Sequence, residues 1–150
     1  MSGTSLLPII AEIGVPVPLN TLWTVLTGEE AVAEWLGTIG YRATAGLSFY
    51  MQPDAARRAA GDITDAAHCH VLLQQRPYRF NFALYVPGTP HTLVAISLFS
   101  EGADNGFVRV IHGGWDQFDA TQIQSRYEAM GALWTETLLP GLKRVAERMR

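Results

Sequence analysis

The chain has 150 residues, 48% of them hydrophobic and 17% charged, which suffices for one domain, taken as 1–150, with a sizeable core. Its formal net charge of -3 gives no footing for a nucleic-acid partner, which would need clustered Lys and Arg to displace counterions. A lone cysteine, Cys69, excludes an internal disulfide and fits a reducing compartment.

The opening stretch, MSGTSLLPIIAEIGVPVPL, has no basic leader, and Glu12 and three prolines interrupt its apolar run. It reads as neither a signal peptide nor a membrane span, so no membrane partner and a cytoplasmic location are expected. Leu6–Val17 is rich in Ile and Val and predicts the first strand, with Pro16 and Pro18 limiting its end. Pro18 suits the first turn of a helix whose buried face is Leu19, Leu22, Trp23 and Leu26. Thr27-Gly28-Glu29-Glu30 breaks that helix and predicts a second one. There Thr27 serves as N-cap and Glu30 completes a capping box. Ala31, Val32, Trp35 and Leu36 then face inward, and Gly37 stops the helix.

From Tyr41 the texture changes to strands. In Leu47–Gln52, residues Leu47, Phe49 and Met51 alternate with Ser48, Tyr50 and Gln52. Pro53–Asp65 reads as an exposed excursion holding one or two helical turns between Asp54 and Gly61. Strands follow at Ala67–Gln75, Tyr78–Val86, Leu93–Ser100 and Phe107–His112, separated by turns at Arg76-Pro77, Pro87–Pro90 and Gly102–Gly106. In the last of these, His112 shares the phase of Val108 and Val110. Arg57–Arg58 and Lys143–Arg144 read as solvated surface, and no distinct interaction patch stands out.

The last thirty residues predict a long closing helix. Ile123, Tyr127, Met130, Trp134, Leu138, Leu142, Val145 and Met149 recur at three- and four-residue steps and form one apolar stripe. Pro140 conflicts with the pattern, because an interior proline removes a hydrogen bond and crowds the preceding turn. A kink near residues 136–140, rather than a break, is the expectation. Asp116 and Asp119 are expected to cap or approach the start of the helix.

This order of elements resembles the SRPBCC superfamily, whose helix-grip fold is shared by START lipid-transfer domains, pollen allergens and aromatic polyketide cyclases. Within it the chain is most similar to the group named after the C-terminal domain of the heat-shock-protein ATPase activator. Four segments carry the likeness: VPVPLNTLWTVLTGEEAVAEWLG (Val15–Gly37), AGLSFYM (Ala45–Met51), HVLLQQRPYRFNF (His70–Phe82), and VRVIHGGWDQF (Val108–Phe118) followed by MGALWTETLLPGLK (Met130–Lys143). Departures from the group's pattern fall at Cys69 or His70, Leu73 and Leu84, and in the excursion Pro53–Asp65. The resemblance implies an α+β fold, in which a curved antiparallel sheet of about six strands wraps the C-terminal helix and two short helices follow strand 1.

It also implies a cavity between sheet and helix that takes a small hydrophobic or aromatic ligand. Bulky rings at these positions also fill ordinary cores. The candidate liners are Trp35, Phe49, Met51, Phe82, Val110, His112, Trp115, Tyr127, Met130 and Trp134. His112 is read either as a polar group at the cavity mouth or as a pin for the Gly113-Gly114 corner. His68 and His70 share a strand face while Cys69 faces away, and no third ligand closes a metal site, so no metal is expected. No cofactor motif or nucleophile motif is present, and no catalytic residue is assigned. Two alternatives stay open: a cyclase or aromatase in which His112, Tyr127 or Tyr85 moves protons, and a chaperone-associated interaction domain. A possible homodimer is kept in view on size alone.

Overall fold

The computed structural model describes residues 6–42 and 46–149. Ala45, the first residue of one resembling segment, lies outside them. Seven strands form one antiparallel sheet: β1 (Ile9–Val15), β2 (Thr38–Ile39), β3 (Ser48–Met51), β4 (Ala67–Gln75), β5 (Arg79–Tyr85), β6 (Thr92–Ser100) and β7 (Gly106–Gly113). Their order across the sheet is β1-β7-β6-β5-β4-β3-β2. The first and last long strands therefore pair, and the rest is a meander. The two-residue β2 is the strand that pattern reading omits, because two residues carry no alternation to read.

The helices α1 (Leu19–Thr27) and α2 (Glu29–Trp35) follow β1, and α3 (Ala55–Ala59) sits in the excursion. The closing rod comprises α4 (Ala120–Ala132), a π-helical segment (Leu133–Leu138) and α5 (Leu139–Arg148). This is the helix-grip arrangement expected from the sequence.

Side-chain alternation on the strands decides which face the rod meets. Phe49, Val71, Phe80, Phe82, Val94, Ile96, Val108 and Val110 are buried on the concave side, together with Trp134, Leu138, Leu139 and Leu142 of the rod. The opposite face carries polar residues and some apolar ones. Ile10 and Ile111 lie opposite each other in register, 61% and 40% exposed, and Leu93 on the next strand is 53% exposed. Three exposed aliphatic side chains thus stand on neighbouring strands of the convex face. Period-two strands hide them, because a residue facing water and one facing the core look alike when both are aliphatic.

Two local expectations are corrected. Thr27 does not cap α2: it is the last residue of α1, and its hydroxyl donates to the Trp23 carbonyl at 2.8 Å. The N-cap is Gly28, with no side-chain bond. A threonine at a helix C-terminus can satisfy itself by this backward bond, and it has done so here. Arg57 and Arg58 are only partly solvated: both are half-buried, Arg57 in an exposed ion pair with Asp65 and Arg58 bonded to the Gln52 carbonyl.

Pro140 neither breaks nor ends the rod. The segment before it widens into a π-helical stretch, in which the Leu139 N–H donates to the Trp134 carbonyl five residues back. The wider turn relieves the crowding that a proline ring imposes on the carbonyl four residues earlier. It also adds a residue to the turn, so Leu138 and Leu139 both reach the core. The stripe then drifts: Ala146 is buried, whereas Met149, expected inside, is 45% exposed. Asp119 caps the rod as expected, its carboxylate accepting from the N–H groups of Thr121 and Gln122.

Candidate functional site

The rod crosses the concave face so that Met130 stands at the gap between it and β3, β4 and β5. Two cavities open there, one on each side of this side chain. The first, about 280 Å³, has Trp35, Met51, Leu133 and Leu138 among its apolar walls and Glu34, Arg58 and Asp65 at its rim. The second, about 210 Å³, lies among Leu84, Tyr85, Trp115 and Phe118, with Arg126 at its rim. Met130, Ala67 and Asp65 border both. Small-molecule sites span roughly 300–1,000 Å³, so each lobe alone is small. Wider depressions of about 550 and 470 Å³ lie around the α1–α2 junction, but they are open grooves walled in part by Glu29.

Of the residues expected to line the cavity, Trp35, Met51 and Met130 border the first lobe, and Trp115 and Met130 the second. Phe49, Phe82, Val110, His112 and Trp134 are packed in the core. Phe49 meets Phe82 edge-on at 5.6 Å and Tyr41 at 5.2 Å. Tyr127 is half-buried against Trp115, and its hydroxyl donates to the Leu7 carbonyl at 2.8 Å, tying the chain before β1 to the rod. Pro53, Arg58, Asp65, Leu133 and Arg126 were not anticipated. Pro53, Arg58, Asp65 and Arg126 are polar or surface-like and give no sequence signal of a wall position, and Leu133 lies outside the predicted stripe.

His112 is at the centre of a closed hydrogen-bonded chain. The Trp134 Nε1–H can only donate, and it reaches His112 Nδ1 at 3.1 Å. The neutral imidazole therefore carries its proton on Nε2, which donates to Thr92 Oγ1 at 2.8 Å. Thr92 in turn donates to the Leu84 carbonyl at 2.7 Å. Burial pushes the His112 pKa down from 6.5 to about 4. A protonated ring would also set Nδ1–H against the indole N–H, donor facing donor. Both nitrogens are committed, so His112 pins the rod to the sheet and has no lone pair or proton to offer a ligand. Its bonds go to side chains, not to the glycine corner. Trp115 holds that corner, its Nε1 donating to the His112 carbonyl at 2.9 Å, and Gly114 turns it at φ +95°.

Of the other titratable residues singled out in the sequence, Tyr85 borders the second lobe, whereas His68, His70 and Cys69 lie apart from the cavities. His68 and His70 are half-buried on the convex face. His68 packs between the rings of Tyr50 and Tyr85, and His70 Nδ1 is 3.2 Å from Ser48 Oγ. Cys69 faces the core, where burial pushes its thiol pKa up. Among the described residues no helix is long and apolar enough to cross a membrane.

No family model matches the sequence, and no curated protein does. Solved structures do match. An HSP90 activator from Plasmodium falciparum superposes with a TM-score of 0.74 at 9% identity, covering 95% of this chain and 97% of that one. Protein BH1534 from Bacillus halodurans gives 0.68 at 19%, covering 96% and 99%. DynU16, from the dynemicin biosynthetic locus, gives 0.67 at 18%; 95% of this chain matches 48% of DynU16. At such identities the likeness establishes the fold and nothing finer. That shared fold is the helix-grip arrangement implied by the resemblance noted in the sequence.

Proposed function

We propose that the chain binds a small hydrophobic or aromatic molecule, non-covalently and in the cytoplasm, between the curled sheet and the closing rod. The observation that supports this reading is the pair of apolar-walled cavities meeting at Met130 in front of a filled core. Phe49, Phe82 and Trp134 already close the interior behind them. Both lobes are half-open to solvent, clefts at the edge of the packed core and not voids inside it. Methionine is the side chain best suited to re-pack, and a rotation of Met130 joins the two lobes. In this reading Trp35, Met51, Trp115 and Met130 touch the ligand. Val110, His112, Tyr127 and the three core rings shape and stiffen the wall behind it.

The cyclase alternative loses its leading proton mover, because His112 is sealed and fully bonded. It loses a second because the Tyr127 hydroxyl is engaged with Leu7, while the third, Tyr85, stays beside the second lobe. The binding reading needs none of the three.

Filling the gap tests the proposal. A Met130→Trp chain, folded by circular dichroism, is expected to lose the thermal stabilisation that apolar ligands give the wild type. Wild-type chain screened against aromatic and aliphatic ligands should melt several degrees higher with at least one of them at saturating concentration. A wild-type melting temperature that stays flat across the panel, or a Met130→Trp variant that keeps the shift, contradicts the reading.

A further inference from the structure

The interior of the first lobe is apolar, but its rim carries charge, and that charge is unevenly compensated. Of the two carboxylates there, Asp65 pairs with Arg57 at 3.3 Å and Glu34 pairs with Arg148. Arg58 has no carboxylate within 4.0 Å among the described residues. Its Nη1 donates to the Gln52 carbonyl at 2.6 Å, and its remaining N–H groups have no acceptor among those residues. Both rim carboxylates are thus paired with arginines outside the lobe's lining, and Arg58 is the rim cation left without a carboxylate.

This guanidinium is held in place. Gln52 is only 2% exposed, and its amide nitrogen donates to the carbonyls of Asp62 and Thr64 at 3.0 and 2.8 Å. Its amide oxygen accepts from the Asp54 N–H at 3.2 Å. One buried side chain thus fastens both ends of the excursion to the end of β3, and the Gln52 carbonyl orients Arg58. The excursion, which departs from the pattern of the resembling group, puts a half-buried cation beside an apolar hole. Inside the fold the guanidinium meets the Gln52 carbonyl and no carboxylate among the described residues, and a partly desolvated guanidinium is strongest when it meets a carboxylate with its remaining donors.

We propose that the ligand is an amphipathic anion, with an apolar or aromatic body against Trp35, Met51 and Met130 and a carboxylate received by Arg58. This rests on the binding reading above and adds the chemical class of the ligand.

Isothermal titration calorimetry with matched acid and amide pairs separates the two. The probes are naphthalene-2-carboxylate, 4-phenylbutyrate and decanoate, each beside its neutral carboxamide. The acid of the best-binding pair is expected to bind the wild type about tenfold or more tightly than its amide, the scale of a charge-assisted hydrogen bond. Arg58→Gln should abolish that preference by bringing the acid down to the affinity of the amide, while Arg58→Lys should keep part of it. Arg79→Gln, an exposed arginine that borders neither lobe, should leave it intact. Equal affinity of acid and amide for the wild type overturns the anion assignment while the binding reading survives. A preference that persists in Arg58→Gln, or disappears in Arg79→Gln, overturns the role of Arg58. If no pair binds the wild type, both the inference and the reading beneath it fall.

Discussion

Replacing Trp134 by alanine is expected to lower the unfolding free energy by about 3–5 kcal/mol, the scale for emptying a buried aromatic site. Whole domains are stable by only about 5–15 kcal/mol, so this one change removes a large share of the total. Two effects add. The indole is fully buried between rod and sheet, and its loss leaves a cavity that the surrounding strands cannot collapse to fill. It is also the donor to His112 Nδ1, which would be left as a buried acceptor without a partner. Trp134→Phe separates the two effects: it keeps most of the volume and loses only the bond, and should cost about 1–3 kcal/mol. Urea denaturation of the three proteins checks the order. An alanine variant within about 1 kcal/mol of wild type would mean that the rod is not anchored at this point.

The second large effect concerns acid. In the unfolded chain His112 takes up a proton near its ordinary 6.5, whereas in the folded chain it does so only near 4. Between those values the unfolded state binds more protons, so falling pH favours unfolding. The stabilisation from keeping this ring neutral is complete above pH 6.5, declines through the window and is gone below about 4. Its full size is roughly 3 kcal/mol, from the separation of the two values at about 1.4 kcal/mol per unit. His112→Gln keeps a polar side chain but cannot titrate. Carboxylates titrate in the lower part of the same range, so the measurement is the difference between wild type and variant. The wild type should lose stability more steeply between pH 6.5 and 4.5. Parallel curves would show that His112 is charged in the native state, contrary to the donor–acceptor chain it occupies.

The parts of the molecule that repeat were the parts legible in the sequence. Phe80, Phe82 and Leu84 alternate as their strand requires, and Val108, Val110 and His112 face the rod in the phase their spacing implies. Ile123, Trp134, Leu138, Leu142 and Val145 are all buried as the stripe predicts. Periodicity gave out where a single local event changed the count. The π-helical turn before Pro140 carried Met149 out to solvent and brought Leu139 and Ala146 in. Gln52, in the polar phase of its run, is buried because it lies just past β3, where its side chain turns to hold the excursion.

The candidate site was less legible, for a physical reason. A ring on the concave face belongs to the core or to a cavity wall according to how closely the rod approaches at that height, and residue type does not record that distance. Trp35 and Phe49 look equivalent in sequence, yet only Trp35 borders the opening. Arg57 and Arg58 show the same limit. Adjacent residues on a helix point about 100° apart, so one meets Asp65 while its neighbour turns to the Gln52 carbonyl and the cavity.

Methionine methyl groups give the most direct view of the central claim, because they sit at the places that distinguish it. Met51 and Met130 border the first lobe, whereas Met149 lies at the far end of the rod beside a different groove. In a ¹³C-methyl methionine NMR titration with naphthalene-2-carboxylate, the Met51 and Met130 resonances should move together and saturate at one dissociation constant, with Met149 unmoved. Saturable shifts at Met149 alone, or no saturable shift at Met51 and Met130, would contradict a ligand site between the sheet and the closing rod.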